Sequence, residues 1–134
     1  MGEVMHPFRQ AVENGDLAAA EALFADDVVF TSPIAFKPYP GKAVTAAFLR
    51  GAARVFEDFQ YVREIVNVDG RDHALVFTAK VKGRVVHGCD FLHLNEDGLI
   101  DELTVMVRPL SAATALSEAM GAQFDRIQQE ALGG

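Results

Sequence analysis

Apolar residues recur at helical spacing in the first third of the chain and at strand spacing through most of the rest. Val4, Phe8, Ala11 and Val12 form one helical stripe that stops at Asn14-Gly15. Asp16 can cap a second helix carrying Leu17, Ala20, Leu23 and Phe24, with Asp26-Asp27 as its end. Residues 28–32 then predict a short strand stopped by Pro33, and residues 34–40 a loop with two further prolines. Gly41-Lys42 opens a third helix with Val44, Ala47, Phe48, Ala52, Val55 and Phe56 on one stripe. Four strands are predicted next, over 59–68, 73–81, 86–94 and 99–108. They are separated by turns at Asp69-Gly70-Arg71-Asp72, Lys82-Gly83-Arg84 and Asn95-Glu96-Asp97-Gly98. Ser111 can cap a last helix bearing Ala113, Leu116, Met120, Phe124 and Ile127. This order predicts one α+β domain over residues 1–134, a curved antiparallel sheet with helices across one face.

One strand carries an anomaly. Val86, Gly88, Asp90, Leu92 and Leu94 form the apolar phase of the third long strand, and Asp90 stands in its middle. A carboxylate is costly to bury unless a partner satisfies it or a function needs it. Antiparallel pairing across the 95–98 turn would set Leu103, Val105 and Val107 beside Asp90 and Gly88. Burial should raise the Asp90 pKa and make it a proton donor at neutral pH. The bland alternative is a carboxylate paired with Arg63 or with a hydroxyl group.

Composition narrows the partners. Half of the 134 residues are hydrophobic, which argues against disorder. The net charge of −7 and the lack of a basic run argue against nucleic acid and anionic membranes. No apolar stretch approaches a membrane span, and the first residues do not resemble a signal peptide. Cys89 is the only cysteine, so no intrachain disulfide can form, and a reducing cytoplasm fits.

Several short motifs, in this order, carry a resemblance: Asn14-Gly15-Asp16, Leu23-Phe24-Ala25-Asp26-Asp27-Val28, Ser32-Pro33, Pro40-Gly41-Lys42 and Glu96-Asp97-Gly98-Leu99-Ile100. The chain resembles the nuclear transport factor 2-like superfamily from about Pro7 to Pro109. Its last strand and the residues beyond it resemble a SnoaL-like subgroup. The superfamily includes ketosteroid isomerases, polyketide cyclases, limonene epoxide hydrolases, scytalone dehydratases and binding-only members. The resemblance implies a cone: the sheet wraps around a pocket that the N-terminal helices close. It also implies dimerisation through the outer face of the sheet. If the cone is right, Phe8, Phe24, Phe30, Phe48 and Leu49 point inward. With Leu103, Val105 and Val107 they would make an apolar pocket whose polar points are Ser32 and Asp90. Tyr39, in a proline-bracketed loop, would lie near the mouth, as a gate or as a loop anchor.

The same resemblance tests specific reactions. Ketosteroid isomerases combine an aspartate base with an oxyanion hole made of a tyrosine and a protonated aspartate. Matched by offset, the protonated aspartate falls on Asp90, the base on Ser32 and the tyrosine on Phe8. Supporting tyrosines fall on Phe24 and Leu49. A serine hydroxyl cannot shuttle protons as a carboxylate does at neutral pH. Epoxide hydrolases place an arginine two residues before the aspartate, where this chain has Gly88, and Arg63 is the remaining strand source. SnoaL-like cyclases can act with a single aspartate on an already acidic substrate, and that chemistry remains open. The expectation is a small hydrophobic ligand held near Asp90, with acid–base activity of isomerase, cyclase or dehydratase type, or binding without catalysis.

No cofactor is expected. A metal site is not expected either: His87 and His93 share a strand face roughly 20 Å apart, opposite the Asp90 phase, and His6 and His73 sit near a helix start and a turn. That opposite face also holds Val85, Cys89, Phe91, Thr104 and Met106 among His87, His93, Glu102 and Arg108. A sheet apolar on both faces points to a homodimer through the outer face, with cover by the C-terminal helix as the alternative.

Overall fold

A computed structural model describes residues 6–133. Helix α1 (Pro7–Glu13) starts on a proline, and His6 caps it: the imidazole Nδ1 accepts from the Phe8 backbone N–H at 3.0 Å. Val4, expected in this helix, lies outside the described residues. Gly15 ends the turn with φ +72°, a left-handed geometry suited to glycine. Asp16 caps α2 (Leu17–Glu21), accepting from the Ala19 N–H at 3.2 Å.

The second helix is shorter than its apolar stripe predicts. Strand β1 (Phe24–Thr31) begins at Phe24, which pairs with Ile100. The pairing register shifts between Phe24 and Val29, and there Asp26 and Asp27 face solvent while Phe24, Ala25 and Val28 are buried. Tertiary pairing thus overrides local helical preference, and the acid pair sits within a strand rather than ending a helix.

Strand β2 (Tyr39–Pro40) lies inside the segment expected to be a loop. Helix α3 (Lys42–Val55) precedes β3 (Glu57–Val66), β4 (Asp72–Val81), β5 (Arg84–Leu94) and β6 (Ile100–Arg108). The sheet order is β2-β1-β6-β5-β4-β3. Every pairing is antiparallel except β1 with β6, which is parallel. The sheet is curved and unclosed, so the expected α+β cone is present with one parallel seam. The β5–β6 turn is built by Asn95, whose side-chain oxygen accepts from the Asp97 and Leu99 N–H groups at 2.9 and 3.0 Å.

The C-terminus holds two helices where one was expected: α4 (Leu110–Gly121) and α5 (Phe124–Gly133). Pro109 occupies the α4 N-cap position without a side-chain hydrogen bond, and Ser111 lies inside the helix, so the expected serine cap is absent. Buried Ala112, Ala115, Leu116 and Met120 turn α4 toward the hydrophobic core. Ile127 fixes α5 onto Gly51 of α3. No helix among the described residues is long and apolar enough to cross a membrane.

Candidate active site

Between the sheet and the helices lies a cavity of about 320 Å³. Its exposed edge residues Gly15 and Ala53 mark where it reaches solvent. Asp90 lies on its wall, on β5, opposite Leu75 of β4 and Val105 of β6. The carboxylate is 8% exposed. Tyr61, two strands away on β3, donates its hydroxyl to Asp90 Oδ2 at 2.7 Å. Among the described residues no hydrogen bond to Asp90 Oδ1 is found, and Asp90 lines the cavity.

A cluster of rings holds Tyr61 there. Phe59 contacts Tyr61 edge-on at 4.9 Å and stacks on Phe77 at 4.8 Å, and Phe56 meets Phe77 at 5.6 Å. Phe77 reaches this position because its strand partner is Gly88. A Cβ on residue 88 would lie 2.1 Å from Phe77 Cζ. The arginine position of an epoxide hydrolase is therefore filled by a phenylalanine ring from the next strand. Arg63 does not replace it. The register of β3 shifts between Tyr61 and Arg63, turning Tyr61 inward and leaving Arg63 exposed.

Two effects set the protonation of Asp90. Burial raises its pKa, the Tyr61 hydrogen bond lowers it, and the net value is about 6. The upward shift expected from burial is present. A carboxyl group poised there can both give and take a proton near neutral pH. The Tyr61 hydroxyl is pushed well above its usual range, by burial first and then by the Asp90 charge, and stays a donor.

The remaining expected pocket residues divide. Phe8, Phe30, Ser32, Phe48, Leu49, Leu103 and Val105 line the cavity. Phe24 stands behind Phe8 at 5.9 Å between ring centroids, buried outside the lining. Tyr39 packs on Phe48 at 4.7 Å and on Phe30 at 6.3 Å, a second layer and not a wall residue. Val107 pairs with Gly88, under Phe77, and is likewise off the wall. Ser32 Oγ accepts from the Ile34 N–H at 3.1 Å, a turn at the strand end. Sequence reasoning missed Tyr61, Phe56, Phe59, Phe77 and Met120. The available signal for Tyr61 was its place as the one tyrosine in the four predicted long strands.

The outer face differs from one expectation as well. The C-terminal helices lie on the cavity side, where Leu116 and Met120 join its wall, so they do not cover that face. Val85, Phe91 and Met106 are 54%, 42% and 58% exposed. His93 Nδ1 meets Asp101 Oδ1 there at 2.7 Å, with Glu102 Oε2 at 3.9 Å. These three could offer ligand atoms within 4.8 Å of one another, a grouping the comparison of histidine pairs did not anticipate. Their half-exposed ion pair accounts for it, and the Asp101 hydrogen bond raises the His93 pKa. Cys89 is a half-buried thiol whose pKa is raised by burial and by the Asp90 charge, which leaves it a poor nucleophile.

The family model for a SnoaL-like domain matches residues 6–103. The chain belongs to the SnoaL-like family. Among solved structures, it is 39% identical to a steroid delta-isomerase from Pseudomonas aeruginosa, over 89% of this chain and 87% of that chain, with a TM-score of 0.84. An uncharacterized bacterial protein with a cystatin-like fold, from Silicibacter pomeroyi, is 34% identical over 94% of this chain and 95% of that one, with a TM-score of 0.81. A more distant NTF2-like protein of unknown function from Cytophaga hutchinsonii, at 19% identity, covers 81% of this chain and 96% of that one and shares the fold with a TM-score of 0.58. No curated protein matches the chain.

Proposed function

We propose that this SnoaL-like domain binds a small hydrophobic molecule and moves a proton on it through Asp90 alone. The observation that carries this is a buried carboxyl group of pKa about 6, held by Tyr61 through Oδ2, on the wall of an apolar cavity. A base poised near the working pH is effective in proton transfer. Oδ1 takes a proton from a ligand carbon, the electron pair of that C–H bond passes into the ligand, and the protonated Asp90 returns the proton elsewhere on it.

The walls limit the substrate class. Phe8 stands where the related isomerases carry an oxyanion tyrosine, and the Tyr61 hydroxyl is committed to Asp90. No donor is aimed at a developing enolate from these positions, so the substrate must stabilise that charge itself. A carbon flanked by two carbonyl groups, or by a carbonyl and an aromatic ring, meets this need. A cavity near 150 Å³ holds benzene, so about 320 Å³ suits a two-ring molecule. The relative from P. aeruginosa is a steroid delta-isomerase by name. By offset, Asp90 matches the oxyanion-hole aspartate of that chemistry and Ser32 stands at its base position, so Asp90 would take over the proton-moving role here, and a four-ring ligand would project through the mouth.

The test uses 2-tetralone, a two-ring ketone with an acidic C–H between a carbonyl and an aryl ring. The protein should speed exchange of that hydrogen in D₂O, followed by NMR. Asp90→Asn should lower the rate by about 10²–10⁴-fold while circular dichroism stays unchanged. Exchange no faster than in buffer, or equal in the variant, removes the catalytic role. Binding of 2-naphthol that weakens in Asp90→Asn would then leave a carrier or sensor.

A second copy of the chain is the proposed partner of the exposed outer face. Its support is the uncovered apolar row of Val85, Phe91 and Met106. A cytoplasmic setting is proposed from the single unpaired thiol.

A further inference from the structure

The family match ends at residue 103, but the cavity wall does not, because Leu116 and Met120 of α4 complete it. The aromatic wall residues are each packed on other rings, Phe8 on Phe24 and the rest in two clusters. Phe56, Phe59, Tyr61 and Phe77 interlock, and Phe77 is seated on Gly88, so altering any one of them disturbs the support of Asp90. Phe30 and Phe48 pack at 5.1 Å and share Tyr39 as a backing ring.

Met120 is a non-aromatic wall residue outside these ring pairs. It is an unbranched, pliable side chain near the end of α4. Met120 and Ile127 lie over a notch at Gly51: a Cβ there would be 3.3 Å from Met120 Cε and 2.8 Å from Ile127 Cδ1. Helix α5 is pinned behind it. Gln123 Nε2 donates to the Gly51 carbonyl at 3.3 Å, and Arg50 and Arg54 reach Glu130 at 3.1 and 3.2 Å. Met120 is thus backed by α5 and faces the cavity.

We propose that Met120 is the size-determining residue of the cavity, setting the largest ring system it accepts. This rests on the reading that the cavity holds an apolar ligand against Asp90. Truncating Met120 opens space without touching the rings that hold Tyr61. Filling its place with a larger ring removes space from the same wall.

Phenol, 2-naphthol and 9-phenanthrol form a series of one, two and three fused rings carrying the same hydroxyl for Asp90. Their affinities are measured by calorimetry on the full chain and its variants. The wild type should prefer 2-naphthol. Met120→Ala should gain about tenfold or more for 9-phenanthrol relative to 2-naphthol. Met120→Phe should lose a similar factor for 2-naphthol and retain phenol. Either variant suffices if the other melts out, and Met120→Leu, close in volume, should keep the wild-type order. An unchanged ring-size order in the folded variants overturns the proposal, as does equal weakening of all three phenols. If 2-naphthol still depends on Asp90 in that case, the ligand reading survives and only the role of Met120 falls. Failure of every phenol to bind the wild type overturns both.

Discussion

Asp90 is unfavourable for stability because of what makes it useful. Its folded pKa of about 6 stands above the ordinary 3.8. Between those values the folded protein binds more protons than the unfolded chain, so stability falls as pH rises through this window and the penalty is complete above about pH 6. The shift corresponds to about 3 kcal/mol at most. Asp90→Asn should therefore raise stability in urea at pH 7 by up to that amount and at pH 4 by little. A variant less stable than wild type at pH 7 would show that the Tyr61 bond outweighs the cost of burial. Local alternation does not single out Tyr61, because the residue that satisfies Asp90 comes from a strand two positions away in the sheet. Alternation along the chain says which side a residue faces, not which distant phenol reaches it.

Elements carry a second pH effect. α1, which brings Phe8 and Val12 to the cavity, is capped by an imidazole that must be neutral to accept from Phe8 N–H. Around His6 stand His73 of β4, at 4.8 Å between rings, and Glu64 of β3, which accepts from the His6 backbone N–H at 3.1 Å. Arg9 of α1 pairs with the same Glu64. Burial lowers the His6 pKa, His73 adds to this, and Glu64 opposes it. The folded protein then binds fewer protons than the unfolded chain, and stability falls as pH drops below 6.5. His6→Asn keeps a capping oxygen and removes the titration. Its melting temperature should drop less between pH 7 and pH 5 than that of the wild type, by about 2–4 °C for each kcal/mol retained. An equal drop would place the pH response elsewhere. At this scale the sequence was legible for α1, α3 and the four long strands. It was misleading where partners intervene: Phe24 leaves helical periodicity to pair with Ile100, and a bulge in β3 turns Arg63 out and Tyr61 in.

For the whole molecule, the helices settle which sheet face is free. α4 and α5 lie on the cavity side, so the face with Met106 at 58% exposure has no cover from the described residues. Met106→Glu puts a charge in the middle of that face, beside the Cys89 position of β5. If two copies meet there, light scattering should show a dimer for the wild type and a monomer for the variant, with the cavity and its ligand affinity retained. A wild type that runs as a monomer at micromolar concentration removes the proposed interface.

Local pattern determined by itself the types of the long elements, the hairpin that carries Asp90 and its apolar phase, and a run of short motifs carried the SnoaL-like resemblance. These depend on interactions a few residues long, or on one strand and its neighbour across a tight turn. Three things were decided only by tertiary structure: Tyr61 as the partner of Asp90, Phe77 over Gly88, and the C-terminal helices as part of the cavity wall. Each joins residues far apart in the chain through side chains that cross between strands or layers. The protonation of Asp90 follows from them, because burial and a single hydroxyl donor together set the charge that the residue carries.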